Sequence, residues 1–163
     1  MAYDTIMVFG DRFRNHILLD KIHILNVSFL VPQMRREYGG CAGNIAYNLK
    51  LLGDVGYSMA TVGKDFGPYR EWMAQTGVPT DYVRVVESEH TAQAFITTDA
   101  DDNQITAFHP GAMQLSHQNN VREAQKTNNR ISVGIVAPDG RDGMIQHAEG
   151  FKAVGIPFMF DPG

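Results

Sequence analysis

From position 39 the chain reads Gly39-Gly40-Cys41-Ala42-Gly43-Asn44-Ile45-Ala46-Tyr47-Asn48-Leu49-Lys50-Leu51-Leu52-Gly53. Adjacent glycines ahead of a helix let a ligand approach the backbone where a side chain would block it. The helix start behind them offers unpaired N–H groups. Asn44 falls in the first turn and can both donate and accept, which suits a pair of neighbouring hydroxyls. The same residues also suit a glycine-rich turn that only packs a helix closely on a sheet, and composition does not separate the two. The stretch is not a dinucleotide fingerprint: Gly40 and Gly43 have the spacing of its last two glycines, but Tyr38 stands where the first belongs. It lacks the Gly-Lys-Ser/Thr ending of a P-loop.

Other chemistry fails on spacing. Asp99, Asp101 and Asn103 begin like a calcium loop, but Gln104 replaces its glycine and Pro110 its final glutamate. His16, His23, His90, His109, His117 and His147 are scattered without metal-ligand spacing. The sequence contains no Gly-x-Ser-x-Gly nucleophile elbow. Cys41, beside a helix start, could have a lowered pKa, though a small residue that fits the turn explains it as well.

The elements that must position these residues follow from local pattern. Residues 3–9 are apolar and β-compatible. Residues 17–31 read as one or two strands ending before Pro32. Ala42, Ile45, Ala46, Leu49 and Leu52 recur at helical spacing, closed by Gly53. A strand over 55–62 comes next, then a helix over 69–75 with Pro68 in its first turn and Gly77 as its stop. A short strand at 82–86 precedes a hairpin with arms 91–98 and 104–109 around a polar turn. Ser116 is placed to cap a helix to about Lys126. A strand over 131–137, a helix capped by Asp139 or Asp142 and stopped at Gly155, and a strand over 156–160 complete the chain. Alternating strands and helices predict a parallel sheet, with 17–31 and 91–109 as a separate antiparallel β element.

The 163 residues suit one domain, with 44% hydrophobic and 20% charged residues. A net charge of −4, with Arg35-Arg36 the only dense basic spot, argues against nucleic acid as a partner. The longest apolar run is four residues, so no helix is expected to cross a membrane. A single cysteine and no signal-peptide pattern point to a cytoplasmic protein.

The stretch from Gly39 to Gly53 resembles the N-terminal signature of the ribokinase-like (PfkB) carbohydrate kinases: Gly-Gly, a spaced Gly-Asn, then a helix with Ala and Leu-x-x-Leu-Gly. The resemblance runs over nearly the whole chain and is greatest to the bacterial adenosine kinases. It implies an α/β fold, a ribokinase-like parallel sheet flanked by helices with a small β-sheet lid. Residues 1–163 would form the N-terminal part of one such domain, truncated after its first half, with lid segments 14–36 and 91–113. Ala2-Tyr3-Asp4 resembles the end of the family's first strand, which gives Asp4, with Gly39, Gly40 and Asn44, the ribose hydroxyls. Phe95 and Phe108 lie in segments resembling the lid strands and would stack on the purine, although either ring could simply cover the hairpin's core face. Asp4, likewise, could be a plain solvated strand residue.

The implied activity is ATP-dependent phosphorylation of a primary hydroxyl, adenosine to AMP first, with this chain carrying the acceptor side and lid. ATP and Mg2+ are implied by the family, but their binding motifs and the Gly-Ala-Gly-Asp segment with the catalytic base have no counterpart here. The catalytic residues are expected beyond Gly163, and the chain alone is expected to be inactive, with none of its own. A ribose- or fructose-type kinase, or a non-catalytic nucleoside-binding or lid-dimerising fragment, is the alternative. Apolar residues in the lid segments, among them Ile22, Ile24, Val27, Phe29, Phe95, Ile96 and Ile105, predict a homodimer through the lid, the competing reading being that they pack on the α/β body.

Overall fold

The computed structural model describes residues 1–8, 30–128 and 130–163. Residues 17–29, with Ile22, Ile24, Val27 and Phe29, lie outside the described residues, as does most of the 14–36 lid segment.

Three sheets carry the described strands. The largest has four strands: β1 (Ala2–Val8), β2 (Gln33–Gly39), β5 (Ala92–Thr98) and β6 (Gln104–His109), in the order β2-β1-β5-β6. Its central pair β1–β5 is parallel, and both outer strands run antiparallel to their neighbours. Two parallel pairs follow, β3 (Ala60–Gly63) with β4 (Val83–Val86), and β7 (Gly134–Val136) with β8 (Phe158–Phe160). Helix α1 (Cys41–Leu51) joins β2 to β3, α2 (Gly67–Thr76) joins β3 to β4, and α4 (Arg141–Val154) joins β7 to β8. A 3-10 segment, Gly111–Gln118, and the short α3 (Val121–Thr127) lie between β6 and β7.

Most local signals give the elements they predict. Gly77 and Gly155 stop α2 and α4 in left-handed conformation, and Pro68 occupies the first turn of α2. The hairpin arms form as β5 and β6.

Four readings are corrected. The 91–109 hairpin is not a separate element, because β5 pairs with β1 along its whole length and completes the hydrogen bonding of that central strand. The 55–62 strand shrinks to Ala60–Gly63, since Gly56 is pressed onto the Ala46 backbone of α1 and its stretch runs as a loop. Asn120, not Ser116, caps α3: its Oδ1 accepts from the Arg122 N–H at 2.9 Å, while Ser116 is buried in the 3-10 segment. Neither Asp139 nor Asp142 caps α4; its N-cap is Gly140, whose N–H donates to Asp139 Oδ1 at 2.7 Å in the turn before the helix. The strand β2 has no counterpart in the sequence reading. Its charged Arg35, Arg36 and Glu37 are exposed, as befits the edge of a sheet.

One core lies between α1, α2, β3 and the first half of β1: Tyr3, Ala46, Val62, Phe66, Tyr69, Met73 and Val78 are buried together. Tyr38 stacks on Tyr69 with ring centroids 4.7 Å apart. The Tyr69 hydroxyl donates to the Gly39 carbonyl at 3.0 Å, which ties the end of β2 to α2. Elsewhere, α4 packs on the 3-10 segment and on β7, where the Phe151 ring fills the space a side chain at Gly134 would need. No helix among the described residues is long and apolar enough to cross a membrane.

Candidate functional site

Strand pairing decides what surrounds Asp4. Residues directly opposite in a sheet share a face, and successive residues alternate. Asp4 lies opposite Glu37 on β2 and Ala94 on β5, and Ala94 lies opposite Phe108 on β6. Glu37, Asp4, Ala94 and Phe108 therefore form a row across one face. Two strand spacings separate Asp4 from Phe108, about 10 Å. Ala94, 9% exposed, leaves a low floor between carboxylate and ring.

The Asp4 carboxyl is pushed above its ordinary range, first by partial burial and then by the Glu37 charge opposite. A carboxylate so placed is short of donors, and hydroxyl groups of a ligand would supply them. Tyr69, behind the row, has its hydroxyl held protonated by burial, with Asp4, Tyr3 and Tyr38 adding to the effect. It acts as the donor to Gly39.

The glycine pair seats this carboxylate. A Cβ on Gly39 would collide with Asp4 Oδ2 and stand 3.1 Å from its Cγ. Gly40 has φ +85° and ψ 143°, a conformation open essentially to glycine alone, and a Cβ there would come within 2.7 Å of the Met1 and Ala2 backbone. The space at both glycines is thus taken by β1 of the same chain, where the sequence reading expected ligand. Their task is to let the strand, the turn and α1 meet beside Asp4. Asn44 lies one turn into α1, with its N–H bonded to the Gly40 carbonyl at 3.0 Å and its side chain on an exposed position.

The two lid aromatics do not stand together. Phe95 is opposite Ala107 and Thr5, so it shares a face with Arg36, Thr5 and Ala107, away from Asp4. Phe108 is on the face of Asp4. One flat ligand on that face cannot be stacked by both rings. The reason is register, which two separate strand sequences do not reveal.

Sequence reasoning also missed Asp65, in the turn after β3. Its Oδ1 accepts from the Thr91 N–H and hydroxyl, both at 2.8 Å, and its Oδ2 from Gln93 Nε2 at 3.2 Å. Its position between a strand end and Pro68 was the available signal. An open groove of about 710 Å3, bordered by Tyr57, Arg84, Glu123 and Arg130, includes none of the row residues. Among the described residues no group of three or more His, Cys, Asp or Glu could hold a metal ion. Gly163 is exposed after β8, its N–H donating to Asp161 Oδ1 at 3.1 Å. The catalytic residues expected beyond Gly163 lie outside the described residues.

The described strands build an α/β body in which a Gly-Gly turn into α1 lies against the Asp4 carboxylate. The chain belongs to the pfkB family of carbohydrate kinases, which matches residues 4–149. A nucleoside kinase of Methanothermobacter thermautotrophicus is 29% identical over 163 residues, 98% of this chain and 52% of that protein. A structure of the Burkholderia thailandensis nucleoside kinase in complex with inosine is 54% identical with a TM-score of 0.82, covering 99% of this chain and 50% of that one. The same enzyme in complex with ADP-inosine gives a TM-score of 0.78 at 56% identity, with 99% and 50% coverage. The nucleoside kinase of Methanocaldococcus jannaschii, an archaeal member of the ribokinase family, gives 0.79 at 28% identity, again with 99% and 50% coverage. The fold is ribokinase-like, and the chain spans about half the length of these relatives.

Proposed function

We propose that the natural protein transfers the γ-phosphoryl group of ATP to the primary hydroxyl of a purine nucleoside, and that these 163 residues hold the nucleoside. The observation that carries this reading is the row Asp4–Ala94–Phe108: a donor-poor carboxylate, a low floor and an aromatic face on one side of the sheet. Asp4 accepts from ribose hydroxyls, the exposed Asn44 side chain donates to and accepts from the same sugar, and Phe108 lies against the base. Gly39 and Gly40 hold the geometry, and Phe95 leaves the base to Phe108. Adenosine is the expected acceptor; inosine is the second choice, because the Burkholderia thailandensis relative is seen with it.

In the reaction the nucleoside oxygen bonds to the γ-phosphorus, the bond to the β-phosphate oxygen breaks, and ADP leaves. The hydroxyl proton passes to a base outside this chain. This chain's residues contribute positioning, which converts a bimolecular encounter into a near-unimolecular one. Incubating the natural full-length protein with Mg-ATP and adenosine or inosine should give AMP or IMP. The 163-residue chain in the same assay should give neither. Product from fructose or ribose but not from a nucleoside would favour a sugar kinase and overturn the substrate reading.

The opposite face supports a homodimer through the lid. Met34, Phe95 and Ile105 are 73%, 40% and 37% exposed there, and Met34 and Ile105 belong to one row through Met7 and Thr97. A second copy packed on it face to face would remove this apolar surface from water. Sedimentation equilibrium of the full-length protein should show a dimer that Phe95→Glu dissociates. A dimer indifferent to that charge places the interface elsewhere.

A further inference from the structure

Asp65 grips the sheet from the side away from the proposed ligand. Thr91, fully buried, gives its N–H and hydroxyl to Asp65 Oδ1, and its hydroxyl oxygen accepts from the Gly63 N–H at 3.0 Å. Gln93 donates to Oδ2. The Tyr3 hydroxyl donates to the Asp65 carbonyl at 2.8 Å. Tyr3 immediately precedes Asp4 on β1, and Gln93 immediately precedes Ala94, the strand partner of Asp4. One residue thus holds the neighbours of both halves of the row.

The far end of the hairpin is fixed to the same strand. The Thr61 hydroxyl donates to the Ala112 carbonyl at 2.7 Å, and the Ala112 N–H to the His90 carbonyl at 2.9 Å. Gly63 and Gly111 both press on the His90 backbone so closely that neither has room for a side chain. Both roots of the β5–β6 hairpin are therefore anchored at β3, and Asp65 is the only side chain among the described residues that bonds to Thr91 and Gln93 together. Burial alone would raise its pKa, but the Thr91 bonds, with His90 Nδ1 3.7 Å from Oδ2, hold its carboxyl below the ordinary range. It remains an acceptor at neutral pH.

We propose that Asp65 is a positioning residue for nucleoside binding, acting on Asp4 and the Ala94 floor through Tyr3, Thr91 and Gln93. The proposal rests on the acceptor role given to Asp4. Its chemistry is that of a charged acceptor matched to three donors, so an amide of the same size replaces charge-assisted bonds by weaker neutral ones. The side chain of an Asp65→Asn variant would keep the bonds from Thr91 to a neutral oxygen and pair its N–H with the Gln93 amide oxygen, turned over to accept.

The test is calorimetric titration of the natural full-length protein with adenosine and, separately, ADP. Asp65→Asn should weaken adenosine binding roughly tenfold and leave ADP binding unchanged, since the bonds to a charged acceptor become neutral ones. Adding Gln93→Glu, which puts the charge on the other partner of the pair, should recover adenosine affinity to within about twofold of wild type. Asp65→Asn on an Asp4→Ala background should cost nothing more, because the two act as one unit. Wild-type adenosine affinity in Asp65→Asn, or independent losses in the double variant, overturns the proposal. Should Asp65→Asn not fold, Gln93→Leu reads the same link. A selective adenosine loss of about threefold supports the proposal, and none overturns it. If Asp4→Ala itself binds adenosine normally, the acceptor reading falls and takes this proposal with it. That result is distinct from an Asp4 effect without an Asp65 effect.

Discussion

On one face of the four-stranded sheet Glu37, Asp4, Ala94 and Phe108 lie in a row; on the other, Arg36, Thr5, Phe95 and Ala107 do. The same strands build both, shifted by one residue. The Asp4 face keeps a carboxylate in an unfavourable setting, desolvated and next to a like charge. The other face is settled at one end, where Tyr3 and Tyr38 pack on Tyr69, and apolar and open at the other, where Met34 and Ile105 lie. The contrast separates two tasks. An electrostatic cost lies on one face, and the buried aromatic contacts that hold the strands lie on the other.

The sharpest way to break this contrast is to remove the carboxylate. In the full-length protein Asp4→Ala should lower nucleoside affinity by about one to two decades, the worth of hydrogen bonds to a charged group, and spare nucleotide affinity. Calorimetry on both ligands decides, and equal losses for the two would mean a damaged fold.

A smaller effect separates the aromatics. Phe108→Ala should raise KM for adenosine about tenfold, within the range of base–aromatic stacking. Phe95→Ala should change it by less than about twofold. Comparable changes in both variants would place both rings at the ligand and contradict the register.

The smallest effect concerns stability. A carboxyl whose folded pKa is raised costs stability when ionised, so the cost is full above the folded pKa and vanishes below the ordinary value of 3.8. Asp4→Asn should therefore raise the melting temperature at pH 7, and this advantage should shrink to nothing as the pH falls below that value. A melting temperature lowered at pH 7 would show that Asp4 is satisfied without ligand.

How much of this was legible in the sequence depended on distance along the chain. Helices α1 and α2 and the two hairpin arms rest on local signals: apolar periodicity, Pro68, Gly77, and the polar turn at Asp99. Strand β2 was hidden because Arg35, Arg36 and Glu37 are chosen for an exposed edge and carry no alternation. Asp4, Gly39, Gly40 and Asn44 were named from motif, and β1 and β2 do bring Asp4 against Gly39. The opposite orientation of Phe95 and Phe108 was not legible. It depends on which residue of β6 meets which residue of β5, a non-local quantity. The same holds for Asp65, whose partners lie 26 and 28 residues away.

The turn joining those strands has a consequence for how the protein could change. Asp99 Oδ1 accepts from the N–H groups of Asp101 and Asn103, and Oδ2 from the Asn103 side chain, while Asp102 adopts φ 61°. This arrangement fits only a loop of this length. Slipping β6 by one residue would bring Phe108 opposite Phe95, where Ala107 now stands. Every β6 side chain would then exchange sides. The loop thus sets a parity: a one-residue shift carried into β6 would swap which ring belongs to which surface, whereas a shift by two would preserve it.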